Sequence, residues 1–370
     1  MTTDPLPKGS VIGIMGAGQL GRMLAQAAHE LGFQTHIYAP NDDLAATPAG
    51  QVSDAVTQAA YEDEHSLLAF ADRVDVITYE FENVPQSTAA FLSTVKPVRP
   101  GQKALEIAQD RWVEKSFIRD LDIDVAEFHD ITTPESLHTA WQRFGGDGIL
   151  KTRRFGYDGK GQWRITASNL LEPVFAELAG RPAILEQLVP FEKEVSVLAA
   201  RNIDGDTAIF DCVENVHANH ILKFSYAPAD ITDTLMQESR NIADKMLTAL
   251  DYVGVLAIEL FVCGNTLLVN EIAPRVHNSG HWTMDACAYG QFHQHILAVT
   301  GQSLANPERL QDAVMTNLIG EDILEARNRD MADNERFHDY GKKDIRDGRK
   351  MGHINALFPL NSRRGTGQTR

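Results

Sequence analysis

LLVNEIAPRVHNSGH, residues 267 to 281, opens as an apolar strand and then sets Asn270 and Glu271 where valine or isoleucine would pack as well. Upstream lies a second apolar run, VLAIELFV (255 to 262), with one carboxylate, Glu259. Cys263, Gly264 and Asn265 between them have turn composition, so the pair reads as an antiparallel hairpin. A three-residue loop would set Glu259 opposite Glu271. Two carboxylates opposed in a buried sheet repel, and each is costly to desolvate. A divalent cation between them relieves both costs, and oxygen ligands suit Mg²⁺. Two solvated strand glutamates are the plainer reading. Arg275, His277, Asn278, Ser279 and His281 follow directly, and this density of donors beyond a strand end reads as a substrate site.

The surrounding chain has 370 residues, enough for about two or three domains. Its 43% hydrophobic and 23% charged content is that of a soluble globular enzyme. A net charge of −17 argues against nucleic acid as a partner, while a local basic pocket for small anions stays compatible with it. Three cysteines without a CxxC pair argue against a disulfide framework or a zinc site and make a reducing cytoplasm the expectation. No apolar signal core and no membrane-length apolar run is evident.

Val11 to Met15 is a strand, followed by GAGQLG with Gly16, Gly18 and Gly21, and then a helix to Gly32. GxGxxG spacing suits a dinucleotide phosphate at a helix amino terminus. The second strand, Thr35 to Ala39, ends without the acid that holds a nicotinamide ribose. Phosphate of another ligand near Gln19 and Leu20, or a glycine turn that only packs helix on strand, are the other readings. Val74 to Thr78 runs into an acidic loop with Glu80, Glu82 and Asn83 at a strand's carboxyl end. Gln102 to Leu121 reads as one helix whose Asp110, Arg111 and Lys115 suit a solvated face.

Lys151 ends the strand Gly148 to Thr152, and RRFGYDGKGQ follows. Its glycines and cations suit a lid over a triphosphate or a plain glycine turn, and it is not a P-loop. Ala183 to Val189 is a strand carrying Glu186 and Gln187, with Glu194 on the next strand for ribose hydroxyls. His217 and His220 read as structural histidines. Asp233 to Asp251 and Asp285 to Thr300 read as helices, Met315 to Gly320 as a strand, and Glu321 to Arg336 as an exposed charged helix. Lys342, Lys343, Arg346, Arg349 and Lys350 form a basic cluster able to take a phosphate group.

In this order, a lysine-ended strand, a glycine lid, a hinge with Glu186 and the pair Glu259 with Asn270-Glu271 resemble the ATP-grasp superfamily. GAGQLGRM, YEFENVP, RRFGYDGKGQW, EVSV, APRVHNSGHWT and GRKMGH resemble, more narrowly, the 5-(carboxyamino)imidazole ribonucleotide synthetases of purine biosynthesis. The resemblance runs from about Val11 to Asn355. It implies a mixed α/β and α+β fold: a doubly wound amino-terminal domain (1–105), an ATP-grasp domain (106–305, with a lid subdomain about 115–185) and a small carboxyl-terminal domain (306–370). It implies an ATP-dependent ligase joining a bicarbonate carboxyl to 5-aminoimidazole ribonucleotide through carboxyphosphate, with Mg²⁺ held by Glu259 and Glu271.

ATP would be met by Arg111, Lys151, the lid Gly156, Tyr157, Asp158, Gly159, Lys160, Gly161 and Gln162, the adenine hinge Glu186, Gln187, Leu188 and Val189, then Glu194, His217, Asn270 and Glu271. The ribonucleotide would meet Gln19, Leu20, Glu80, Asn83, Tyr157, Asp158, Lys160, Arg275, Asn278 and Ser279, with Lys342 and Arg349 on its phosphate. Lys151, Arg275, His277 and Asp158 form the implied catalytic set, with His281 nearby for proton handling. A homodimer, no nucleic acid and no membrane complete the implied partners. Members usually continue for a further helical stretch after GHIN, so the carboxyl-terminal domain is expected to be shortened here. A formate-dependent glycinamide ribonucleotide transformylase would share the ATP site but not RVHNSGHWT or YEFENVP. A nicotinamide-dependent oxidoreductase would need the acid missing after the second strand.

Overall fold

The computed structural model describes residues 4–156 and 160–362. The amino-terminal sheet is parallel, ordered β3-β2-β1-β4, from β1 (Val11–Met15), β2 (Gln34–Ala39), β3 (Ala55–Gln58) and β4 (Val76–Tyr79). β1 pairs on both sides, and Ile12 and Ile14 are fully buried, as an apolar run without alternation requires. Gly13 lets a neighbouring helix close onto it, because a Cβ there would sit 2.6 Å from the Phe70 ring.

A second, antiparallel four-stranded sheet has the order β5-β8-β6-β7, from β5 (Phe128–Ile131), β6 (Gly148–Thr152), β7 (Gln162–Ile165) and β8 (Ala183–Gln187). The largest sheet has nine strands. It runs from β9 (Lys193–Arg201), β10 (Thr207–Ile209), β11 (Val213–Ala218) and β12 (Ile221–Ala227), through β13 (Gly254–Cys263) and β14 (Thr266–Ala273), to β15 (Asp312–Ile319), β16 (Glu335–Asp339) and β17 (Lys350–Phe358). Its order is β14-β13-β9-β11-β12-β15-β17-β16, with β10 on β9. The carboxyl strands thus extend the sheet that carries the hairpin, through the β12–β15 pairing. The helices Gln19–Glu30 and Gln291–Val299 pack together and join the amino-terminal sheet to the central core.

Three expected helices differ. Gln102 to Leu121 is two helices, Gln102–Ala108 and Arg111–Asp120. Asp110 turns extended between them, and its carboxylate accepts from Trp112 N at 3.0 Å, an N-cap that starts a new helix. Asp285 to Thr300 is likewise split into Thr283–Ala286 and Gln291–Val299. Gly290 permits the break, since a Cβ there would meet the Thr283 carbonyl at 2.9 Å. The charged helix ends at Asn328, and Glu335–Asp339 is strand because β17 offers it an edge. Among the described residues no helix is long and apolar enough to cross a membrane, and Cys212, Cys263 and Cys287 are all free thiols.

Candidate active site

The hairpin reaches its carboxylate pairing by a route other than a three-residue loop. Cys263 pairs with Thr266, so the turn is the two residues Gly264-Asn265, with Gly264 left-handed at φ +61°. That register alone would set Glu259 against Asn270. A bulge shifts the ladder, so that Leu260 faces Val269 while Glu259 faces Glu271. Asn270 is the extra residue, and its carbonyl accepts from Lys115 Nζ at 2.9 Å. Burial, then the Glu271 charge, push Glu259 up to about 7. Burial acts on Glu271 too, but Arg111, whose Nη1 donates to Glu271 Oε2 at 2.9 Å, and Lys151 hold it below the ordinary carboxylate range. Glu271 thus has the Arg111 guanidinium against it, whereas burial and the Glu271 charge outweigh His217 and Arg275 at Glu259. Among the described residues no group of three or more His, Cys, Asp or Glu forms a metal cage. Two carboxylates facing an open cavity suit Mg²⁺, which keeps waters and takes further oxygens from a polyphosphate.

Behind the hairpin, Lys151 Nζ donates to Glu186 Oε2 at 2.8 Å, and Lys115 Nζ lies 3.4 Å from Glu186 Oε1. All three side chains are nearly sealed from solvent: Lys115 is 1% exposed, Glu186 3% and Lys151 8%. Burial works against the Glu186 charge, yet the two ammoniums hold it at about 2. Lys151 is lowered, first by burial and then by Lys115 and Arg111. The solvated face expected for Asp110, Arg111 and Lys115 is therefore wrong. Arg111, Glu114 and Lys115 share one helix face turned into the site, as their i, i+3, i+4 spacing allows, and Asp110 pairs with Arg153 Nε at 2.8 Å. Glu114 accepts from Ile272 N at 2.7 Å and is pushed up to about 8 by burial and Glu271.

A cavity of about 750 Å³ opens in front of these groups. Its walls include Arg111, Lys151, Gly156, Lys160, Gly161, Gln162, Glu194, His217, Glu259, Asn270 and Glu271. Glu194 Oε2 lies 2.5 Å from His217 Nδ1; burial disfavours the imidazolium, but this carboxylate raises His217 overall. His217 is thus tied to the site as well as to the sheet. Glu186 turns its carboxylate to the lysines, and Gln187, Leu188 and Val189 are not among the wall residues. Gly161 is left-handed at φ +71°, and its carbonyl accepts from Thr152 N at 2.8 Å, which closes the loop's base. Tyr157, Asp158 and Gly159 lie outside the described residues.

The amino-terminal domain adds to the lining. Glu80 fills the glycine turn: its carboxylate accepts from Gly18 N and, at 2.6 Å, from Gly21 N. A Cβ on Gly18 would stand 2.8 Å from Glu80 Oε1. The glycines therefore cradle the chain's own carboxylate, where a dinucleotide fold would hold phosphate, and the oxidoreductase reading fails on this contact. Gln19, Leu20, Glu80 and Asn83 line the cavity, as does Glu82, which accepts from Arg275 Nε. Burial alone would raise Glu82; the Arg275 guanidinium holds it low.

Arg275, His277 and Asn278 also face the cavity. Ser279 and His281 are fully buried, and Asn278 exchanges amide hydrogen bonds with Asn317 at 2.9 and 2.6 Å. Gln291 clamps the turn, accepting from His277 N at 2.8 Å and donating to His277 O at 2.7 Å and to His281 Nδ1 at 3.0 Å. Lys342 Nζ donates to the Lys350 carbonyl at 2.5 Å, and Arg349 Nη1 to the Asp344 carbonyl at 2.9 Å. Neither is a wall residue, whereas Lys350 is. Lys342 is nonetheless pushed down to about 8 by burial, Arg349 and Lys350, a crowding of cations that an anion would relieve.

Known families match the chain in three consecutive parts. Residues 10–109 match the ribonucleotide synthetase preATP-grasp domain, 116–292 the ATP-grasp domain, and 313–362 the phosphoribosylaminoimidazole carboxylase C-terminal domain. The chain is 49% identical to the N5-carboxyaminoimidazole ribonucleotide synthase of Brucella melitensis, over 97% of this chain and 99% of that one. It is 42% identical to that of Pseudomonas aeruginosa, over 92% and 93%. The Staphylococcus aureus N5-carboxyaminoimidazole synthetase complexed with ADP superposes with a TM-score of 0.90 at 37% identity, covering 96% of this chain and 94% of that one. The Aspergillus clavatus enzyme in complex with ADP and 5-aminoimidazole ribonucleotide superposes at 0.88 with 28% identity, covering 95% and 94%. By these identities and this order of domains, the chain belongs to the N5-carboxyaminoimidazole ribonucleotide synthase family of ATP-grasp ligases.

Proposed function

We propose that the protein carboxylates the exocyclic amine of 5-aminoimidazole ribonucleotide, using ATP and bicarbonate and releasing ADP and phosphate. The observation that carries this reading is one continuous cavity lined both by Lys151, Asn270 and Glu271 and by Arg275, His277 and Glu80. Phosphoryl transfer needs positioning and charge neutralisation more than covalent help from the protein. Lys151 and Arg111 supply positive charge to the polyphosphate, and Glu194 offers a ribose contact. Glu259 and Glu271 would hold Mg²⁺, which would supply charge compensation to the polyphosphate. The lid from Gly156 to Gln162 would exclude water from carboxyphosphate, a species water destroys. The acceptor would lie against Gln19, Leu20, Glu80 and Asn83, with Arg275 toward the carboxyl and the Lys342, Arg349 and Lys350 group toward its phosphate. A homodimer in the cytoplasm accompanies this reading, and light scattering tests the first part. The reaction itself is tested by ADP release, which should need both bicarbonate and 5-aminoimidazole ribonucleotide for full rate. Turnover driven instead by glycinamide ribonucleotide and formate would overturn the assignment.

A further inference from the structure

Behind His277 runs a line of buried polar side chains crossing three neighbouring strands. Ser225 Oγ on β12 donates to Asn215 Oδ1 on β11 at 2.8 Å. Asn215 Nδ2 donates to Ser196 Oγ on β9 at 3.0 Å, and Ser196 Oγ donates to Ser279 Oγ at 2.7 Å. Ser279 Oγ lies 2.9 Å from His277 Nδ1. Ser196, Ser225 and Ser279 are 0% exposed and Asn215 6%. Such groups are costly to bury, so a line in which each is satisfied by the next is a feature a core keeps only for orientation or function.

The line has a direction. With Ser196 donating to Ser279, the Ser279 hydroxyl has its own single proton to give to His277 Nδ1, and the backbone fixes this sense. The backbone N–H of Ser279, which can only donate, points at the same nitrogen at 3.4 Å. Nδ1 is then a lone-pair acceptor, and the imidazole proton sits on Nε2, 3.4 Å from Glu259 Oε1. Ser196 is also the ladder partner of Glu259, so one strand position ties both ends of the His277–Glu259 contact.

We propose that Ser196 and Ser279, backed by Asn215 and Ser225, are positioning residues that hold His277 as the Nε2–H tautomer, presenting a fixed N–H donor to the cavity beside Glu259. This rests on the proposed reaction only for its catalytic consequence; the tautomer itself is a property of the protein without substrates. The donor then faces the place where the carboxyl is made and transferred, and a flipped or Nδ1–H ring would present a lone pair there.

The test combines histidine ¹⁵N spectroscopy with kinetics on the full chain. In the wild type, His277 should show a pyridine-type Nδ1 and a pyrrole-type Nε2. Ser279→Ala should shift His277 toward the other tautomer and lower kcat about tenfold, with KM for ATP changed less than about twofold. Ser196→Ala, which does not touch His277, should move the same signals to a smaller extent. The double variant should be no worse than Ser279→Ala, because one line is being broken twice. If Ser279→Ala fails to fold, Ser196→Ala and Ser225→Ala carry the same readouts. An Nδ1–H tautomer in the wild type, or variants that lose thermal stability while His277 signals and kcat stay put, would overturn the proposal. A wild-type Nε2–H tautomer lost in Ser279→Ala without any effect on kcat would keep the hydrogen-bond direction, remove the catalytic role, and point back to the proposed reaction as the failing part.

Discussion

Replacing Glu186 with glutamine tests whether the buried charge cluster behind the hairpin is held by that one carboxylate. Glu186 lies 2.8 Å from Lys151 Nζ and 3.4 Å from Lys115 Nζ, in a site where none of the three is more than 8% exposed. Burial alone would raise this carboxyl, yet the two ammoniums hold it at about 2 against an ordinary 4.5. At about 1.4 kcal/mol per pKa unit, that corresponds to roughly 3 kcal/mol of folding stability at neutral pH. The glutamine is nearly isosteric but removes the carboxylate that lies against both buried ammoniums, and breaking a buried pair costs roughly 3–5 kcal/mol. Glu186→Gln should therefore lower the unfolding free energy at pH 7, read from the urea transition reported by tryptophan fluorescence, by an amount in that range. The sign with pH follows from a depressed carboxyl: its contribution is complete above about 4.5 and is lost as pH falls toward about 2. The gap between variant and wild type should narrow across that window. A polyphosphate meeting Lys151 would return the missing negative charge, so ATP should raise the variant's midpoint more than the wild type's. A variant as stable as the wild type at pH 7, or one that ATP stabilises no further than the wild type, would refute the reasoning.

Other expectations follow from single contacts. Glu271→Gln should abolish Mg²⁺-dependent turnover while circular dichroism stays native, because it removes the charge that both Arg111 and a cation would share; wild-type activity would return Glu271 to a solvated strand residue. His295, buried and pushed down to about 3 by that burial, must stay neutral in the fold. Stability should thus fall by about 1.4 kcal/mol per pH unit below about 6.5, where the unfolded imidazole gains its proton, and His295→Gln should flatten that acid limb in thermal melts. Glu80→Ala should leave the Gly18 and Gly21 N–H groups unpaired and cost roughly 1–3 kcal/mol for each, read as a lower melting temperature without any gain in nicotinamide dinucleotide binding.

The hairpin was legible because carboxylates inside apolar runs have few cheap explanations. Its register was not: the two-residue turn and the Asn270 bulge offset one another, and only the neighbouring strand β9 and the Lys115 contact fix where the extra residue goes. Lys115 itself was misread because charges on a helix usually face water, and the Asp110 cap that reorients the helix is a one-residue signal. Gly16, Gly18 and Gly21 announced a close approach at a helix start but not what approaches, and the answer, Glu80, is supplied from a different strand. Lys350 was one of five cations in a run; that it alone faces the cavity follows from β17 joining β15. The Ser225–Asn215–Ser196–Ser279 line was invisible, since single serines in strands acquire meaning only once the strand order is known.

The central claim is transfer of a bicarbonate-derived carboxyl to the exocyclic nitrogen. The direct measurement is NMR of the product formed from ¹³C-bicarbonate, ATP and 5-aminoimidazole ribonucleotide carrying ¹⁵N at that amine. A one-bond ¹³C–¹⁵N coupling, appearing in step with one ADP per product, is the predicted result. ADP formed without labelled product, or ¹³C found on a ring carbon, would contradict the account.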